Sequence, residues 1–520
     1  MKKALLIIVV LTLSACDRTP VVEVSGERLT GMYVEDGAVA TFLGVPFAEP
    51  PVGDLRWQAP QPLSNTVPKR NVTEFAPACI QSMRILDWYR SLAVDLGGTA
   101  DYYEDLEVSE DCLYLNVWTP TLEETAKLPV MVWVHGGSNK SGWSYEPNYY
   151  GHNLAQQDVI VVSVAYRQGM FGFLSHPELP RNEPVANFAY WDLIAALQWI
   201  QNNIKKFGGD PDRVTMFGES AGAENILALL AIEQVEGMLH RGVAQSTAGF
   251  GLTRMSTLAE EEERALGLAD ALDIPREGSL AALREVPAEE LFAVYDEVFT
   301  KHYHAPAIDH QLLKESSWKT IQSDALLGRE LIIGSNYHEW YANTAEDTTW
   351  DDVVRQATLL EGIDYESALD VVRDEEDPRR ALDRLRTASA MLCASQNVAA
   401  RVNSAGGNAW MYHFTRVPLG QNGESLGAYH GVEYPYVFDT HDSYFAVDDT
   451  DRALQHAMQT YWVNFAKTGD PNGEGVPLWP RFEASDMMVQ ELGDKVFSTE
   501  QPEPELCALF EEGLPEREIK

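Results

Sequence analysis

Residues Gly218-Glu219-Ser220-Ala221-Gly222 decide the reading of this chain. They follow a strand-like apolar run over 214–217 and precede a helix-like run over 223–231. A serine between glycines at such a junction fits a nucleophile elbow, a sharp strand-to-helix turn that holds its hydroxyl out into a cleft. Gly218 and Gly222 are expected there because Cβ atoms would collide with the tight turn. The Ala221 N–H opens the helix and can face an oxyanion. G-x-S-x-G also arises in ordinary turns, so its weight comes from the strand–turn–helix context. A serine hydroxyl is a poor nucleophile at neutral pH and needs a base within reach, itself oriented by a carboxylate. With this elbow the chain order is Ser, then Asp or Glu, then His.

Working outward, short apolar runs at 130–134, 159–165, 214–217 and 331–333 suit parallel strands buried on both faces. Residues 192–205 have helical periodicity and stop before Gly208-Gly209. This is α/β organisation with crossover helices. Two acidic helical stretches, 258–299 and 349–402, interrupt the strand pattern. A length of 520 residues alone would suggest about three domains. With no linker-like segment and no internal repeat, residues 16–520 read as a single domain.

Residues 1–15 read as a signal peptide. Lys2 and Lys3 form a basic start, and 4–13 are too few apolar residues to span a bilayer. Leu13-Ser14-Ala15-Cys16 resembles a bacterial lipobox, in which the cysteine is lipidated and becomes the new N-terminus. The expectation is an exported cell-envelope lipoprotein on the periplasmic side, held to the membrane through Cys16. A plain secretory signal, and a secreted protein, is the alternative.

Acidic residues number 79 against 39 basic ones, a net charge of −40 that excludes nucleic acid as a partner. The acidity is either a heavily solvated surface or an acidic cleft. Beyond Cys16 stand Cys79, Cys112, Cys393 and Cys507. An even count in an exported chain suggests disulfides, with three connectivities open, and four buried thiols as the alternative. No pair has CxxC spacing, so a metal or redox role is not expected.

Five further stretches carry a resemblance: Glu110-Asp-Cys-Leu-Tyr-Leu-Asn-Val-Trp118, Val132-Trp-Val-His-Gly-Gly137, Phe207-Gly-Gly-Asp-Pro-Asp-Arg213, Gly427-Ala-Tyr-His-Gly-Val-Glu433 and Phe465-Ala-Lys-Thr-Gly-Asp-Pro-Asn472. Together with the elbow they resemble the type-B carboxylesterase/lipase family, the cholinesterase-like branch of the α/β-hydrolases, over about 31–515. The resemblance implies an α/β-hydrolase fold: a large, mostly parallel central sheet flanked by helices, with helical insertions over an active-site gorge. The alternative for the two acidic stretches is outer helices with solvated faces.

The resemblance also implies a serine carboxylester hydrolase that works through an acyl-enzyme on a small-molecule ester, with no metal and no cofactor. Its motifs match Ser220 as nucleophile, His430 as base and Glu339 as orienting acid. From the residues alone, Glu339 could equally be a surface glutamate. Its neighbour His338 is a rival base, set aside because adjacent side chains on extended backbone point apart. His413 and His456 read as structural. The oxyanion donors would be the N–H groups of Gly137, Ser138 and Ala221. Ser138 stands where the family has a third glycine, which narrows the allowed dihedrals and adds bulk. The resemblance pairs Cys79 with Cys112, Cys393 with Cys507, and Arg56 with Glu110. Three other readings remain open: hydrolysis of cationic esters, aided by Glu219 and by Tyr102 or Tyr103; an amidase or peptidase on the same triad; and non-catalytic adhesion or binding.

Overall fold

A computed structural model describes residues 19–510 apart from 65–66, 248, 254, 300–301, 361–362 and 442–443. Residues 1–15, read from the sequence as a signal peptide, and Cys16 lie outside the described residues. Among those described, no helix is long and apolar enough to cross a membrane.

The centre is an eleven-stranded sheet. Its strands are β1 (Met32–Val34), β2 (Val39–Pro46), β3 (Tyr114–Thr119), β4 (Leu128–Val134), β5 (Ile160–Val164), β6 (Gly209–Glu219), β7 (Arg241–Gln245), β8 (Glu330–Asn336), β9 (Asn408–Phe414), β10 (Met488–Leu492) and β11 (Val496–Glu500). Their order across the sheet is β1-β2-β3-β5-β4-β6-β7-β8-β9-β10-β11. From β5 to β10 every pairing is parallel, and the strands outside that span pair antiparallel. This is the α/β-hydrolase fold that the resemblance implied.

The helices that place the site are α1 (Arg84–Asp95), α2 (Phe188–Asn203), α3 (Ala221–Leu230), α4 (Leu258–Ala271), α5 (Cys393–Ser404), α6 (Asp449–Thr468) and α7 (Pro504–Ala508). The strand period of two sorts side chains into two cores. Val130, Val132 and Val134 of β4 pack with α2, α3 and α5 on one face. Met131 and Trp133 pack with α6 on the other. Burial on both faces is why these strands read as unbroken apolar runs.

Three details differ from the sequence reading. Helix α2 starts four residues before 192, because Phe188, Ala189 and Tyr190 are also buried behind Asn187 at φ 58°. A 3₁₀ turn, Ile204–Phe207, then ends it at Gly208, where φ is 85°. The 258–299 stretch is not continuous, breaking into α4 and three shorter helices, with Pro287 at one of the breaks. Both acidic stretches pack as outer helices, and neither contributes a residue to the cavity described below.

Disulfides join Cys79 to Cys112 and Cys393 to Cys507, as the resemblance implied. The first closes the loop that carries α1. The second ties α7 to the start of α5. Arg56 and Glu110 form a two-pronged ion pair, with both N–H···O distances 2.6 Å.

Candidate active site

Strand β6 ends at Glu219 and α3 begins at Ala221, leaving Ser220 as the single residue between them. Ser220 sits at φ 54° and ψ −127°, a strained conformation for a residue with a Cβ. The sheet imposes it. Ser220 N–H donates to Gln245 O at the end of β7, at 2.9 Å, and Ser220 O accepts from Glu224 N–H, at 3.0 Å. The flanking glycines are required by a neighbour more than by the turn. A Cβ on Gly218 or Gly222 would lie 2.4 or 2.2 Å from Val134 O at the end of β4.

Glu339 lies just past β8 and is fully buried. Its Oε1 accepts from Asn336 N–H at 2.7 Å, and its Oε2 lies 2.6 Å from His430 Nδ1. That contact fixes the ring: Nδ1–H donates to the carboxylate and Nε2 faces the cavity. The loop bearing His430 is held by the rejected rival. His338 N–H donates to Ala428 O at 3.1 Å, and His338 Nδ1 accepts from Ala428 N–H at 3.0 Å. Burial, helped by Arg380, His413 and Arg379, pushes His338 down to about 3, so the ring is neutral and can accept. His413 is buried and pushed down to about 3, while His456 is exposed on α6. Trp340 stacks parallel to His430, with centroids 5.9 Å apart.

Ser220 and His430 line one cavity of about 420 Å³, along with Gly136, Gly137 and Ser138. His430 Nε2 lies 2.9 Å from Glu219 Oε1, and no hydrogen bond joins it to Ser220 Oγ. Burial opposes protonation of the ring. The Glu219 and Glu339 carboxylates on its two sides outweigh burial and hold His430 well above the usual histidine range. Glu433, buried behind them, accepts from Gln245 Nε2 at 3.1 Å and from Asn336 Nδ2 at 2.7 Å. Burial and the nearby Glu219 charge push Glu433 up to about 8.

The turn after β4 has positive φ at three successive residues: Gly137 (102°), Ser138 (60°) and Asn139 (55°). Ser138 therefore takes a conformation that a glycine would take more freely. Among the described residues, the N–H groups of Gly137, Ser138 and Ala221 donate to no other group. The turn is clamped from two sides. Gln81 accepts from Gly142 N–H at 2.6 Å and donates to Gly142 O at 2.8 Å. Buried Asn139 donates to His304 O at 2.8 Å and accepts from Asn225 Nδ2 at 2.9 Å.

Three expectations need correction or completion. Tyr103, not Tyr102, lines the cavity, and Tyr102 packs edge-on against Tyr103 and Tyr444. Glu219 is 1 % exposed and engaged with His430, so it is not a free acceptor for a cation. Of the residues that sequence reasoning missed, Gln81, Asn139, Glu146 and Trp340 lie outside helices and strands, and Asn148 sits in the 3₁₀ turn Pro147–Tyr149. Gln81, two residues after Cys79, Asn139, beside Ser138, and Trp340, beside Glu339, had a neighbour that could have pointed to them.

The chain is similar to known esterases in sequence and in fold. The chain matches the carboxylesterase family over residues 18–509. It is 34% identical to fumonisin B1 esterase of Sphingopyxis macrogoltabida over 472 residues, 86% of this chain and 82% of that one. It is 33% identical to para-nitrobenzyl esterase of Bacillus subtilis (strain 168) over 487 residues, 90% and 94% of the two chains. The structure of a thermophilic para-nitrobenzyl esterase superposes with a TM-score of 0.80 at 30% identity, covering 94% of this chain and 99% of that one. The carboxylesterase structure from Geobacillus stearothermophilus superposes with a TM-score of 0.79 at 27% identity, covering 95% of this chain and all of the other. By fold, by extent of match and by relatives, this chain belongs to the type-B carboxylesterase family and is a carboxylic ester hydrolase.

Proposed function

We propose that the protein hydrolyses carboxylic esters through an acyl-enzyme on Ser220, with His430 as the base and Glu339 as its orienting acid. The observation that carries this reading is the shared cavity. Ser220 and His430 both line it, with a buried Glu339 carboxylate 2.6 Å from His430 Nδ1. Ser220 Oγ attacks the ester carbonyl while Nε2 takes its proton. The resulting imidazolium then protonates the leaving alcohol, and water, deprotonated by the same Nε2, releases the acid. Glu339 keeps the proton on Nδ1 and stabilises the charged ring. The unspent N–H groups of Gly137, Ser138 and Ala221 receive the oxyanion. Backbone donors ask nothing of a side chain, so Ser138 can serve.

In the resting protein Nε2 faces Glu219, so the imidazolium is favoured and the base is not free. Turnover requires loss of that proton and a turn of Nε2 from Glu219 to Ser220. Activity therefore rises as pH is raised through the elevated His430 value.

Ser220→Ala should lower kcat on p-nitrophenyl butyrate by about a thousandfold or more, in a protein that still folds. A fluorophosphonate should add covalently to Ser220, read by peptide mass. Near-normal turnover in folded Ser220→Ala, or labelling elsewhere, would sink the assignment. We also place the chain on the cell envelope through lipid on Cys16. Release of Cys16→Ser from the membrane fraction tests this.

A further inference from the structure

Part of the cavity wall is polar in an unusual way. The loop after β4 presents Glu146 and Asn148, which are 1 % and 5 % exposed. The phenols of Tyr89 and Tyr149 face the Glu146 carboxyl, yet Oε2 has no hydrogen-bond partner. Asn148 spends its Nδ2 on Tyr103 OH at 3.3 Å and leaves Oδ1 without a donor. A buried acceptor without a donor is costly, and two such acceptors on one loop of a substrate cavity call for a common donor.

We propose that Glu146 and Asn148 form a subsite for a vicinal diol on the alcohol portion of the ester, one hydroxyl exchanging a hydrogen bond with Glu146 Oε2 and the other donating to Asn148 Oδ1. This rests on the ester-hydrolase reading and names its substrate class. Tyr103, Tyr149 and Tyr434 line the same cavity. A hydroxyl suits the site better than an ammonium group. Burial pushes Glu146 up to about 8, with the Glu219 charge adding to it, so near neutrality the carboxyl carries a proton. A protonated carboxyl gives and takes hydrogen bonds, as a hydroxyl does, but offers a cation no charge.

The test compares kcat/KM for 2,3-dihydroxypropyl, propyl and trimethylammonioethyl butyrate, with active sites counted by the p-nitrophenolate burst from p-nitrophenyl butyrate. The dihydroxypropyl ester should be preferred over the propyl ester by about tenfold or more. Asn148→Leu should collapse that ratio toward one. Asn148→Asp, which keeps an acceptor in place, should retain most of it. Equal rates for dihydroxypropyl and propyl esters in the unaltered protein would overturn the subsite while leaving the hydrolase standing. So would a preference for the cationic ester, or a diol preference that survives both Asn148→Leu and Glu146→Leu. Failure to cleave p-nitrophenyl butyrate at all would bring down the hydrolase reading and the subsite with it.

Discussion

The two sides of the cavity are built on different principles. Ser220, Glu339 and Glu219 stand at the carboxyl ends of parallel strands or just beyond them, where the sheet's ladder fixes the backbone. The rest of the lining is less regular: the turn at 135–149, which follows β4, and the disulfide-closed loop that carries α1. There the backbone is held by single side chains reaching across, Gln81 to Gly142 and Asn139 to His304. The strand side positions reacting atoms with the rigidity of the whole sheet. The loop side shapes the pocket with a few removable contacts. Changes on the first side should therefore abolish chemistry, and changes on the second should grade it.

The largest effect belongs to the strand side. Glu339→Gln keeps size but removes the charge that faces Nδ1 of His430, and kcat should fall by about a thousandfold or more. Only a small change would show that the carboxylate merely packs, and would dissolve the distinction between the sides.

The disulfides come next, and they separate stability from activity. They close loops of 33 and 114 residues in sequence separation. Loop closure predicts losses of about 4 kcal/mol for Cys79→Ser/Cys112→Ser and about 5 kcal/mol for Cys393→Ser/Cys507→Ser, read by urea unfolding. Activity per folded molecule should fall only in the first pair, whose loop reaches the oxyanion turn through Gln81. Equal activity losses in both would sever that link.

A smaller effect is expected of Gln81→Ala. It frees Gly142 without touching substrate, so kcat should drop about tenfold with KM little altered. A rise in KM with unchanged kcat would mean that Gln81 shapes the pocket and does not hold the turn.

The smallest effect is a shift in pH dependence. Glu219 carries one of the two charges that favour protonated His430, so Glu219→Gln should lower that group's pKa. The base works when neutral, so the acid limb of kcat/KM should move to lower pH. A limb that stays in place would show that Nε2 does not face Glu219 in solution.

The sequence by itself determined the elbow and the strand runs, and through resemblance it proposed the order Ser, Glu, His. Those signals are local: glycine at fixed offsets, apolar period, and motifs on either side of a strand end. It also led to both disulfide pairings, through resemblance. Only the tertiary structure decided the reason for Gly218 and Gly222, because the obstructing Val134 carbonyl belongs to a strand some eighty residues earlier. Tertiary structure alone seated His338 as a brace for the His430 loop and turned Nε2 toward Glu219. It placed α1, rather than the two acidic helical stretches, along the cavity. It also left Glu146 Oε2 and Asn148 Oδ1 buried without a hydrogen-bond partner. Each of these depends on which backbone from a distant segment arrives beside a residue, and such arrivals leave no period, no spacing and no composition in the chain itself.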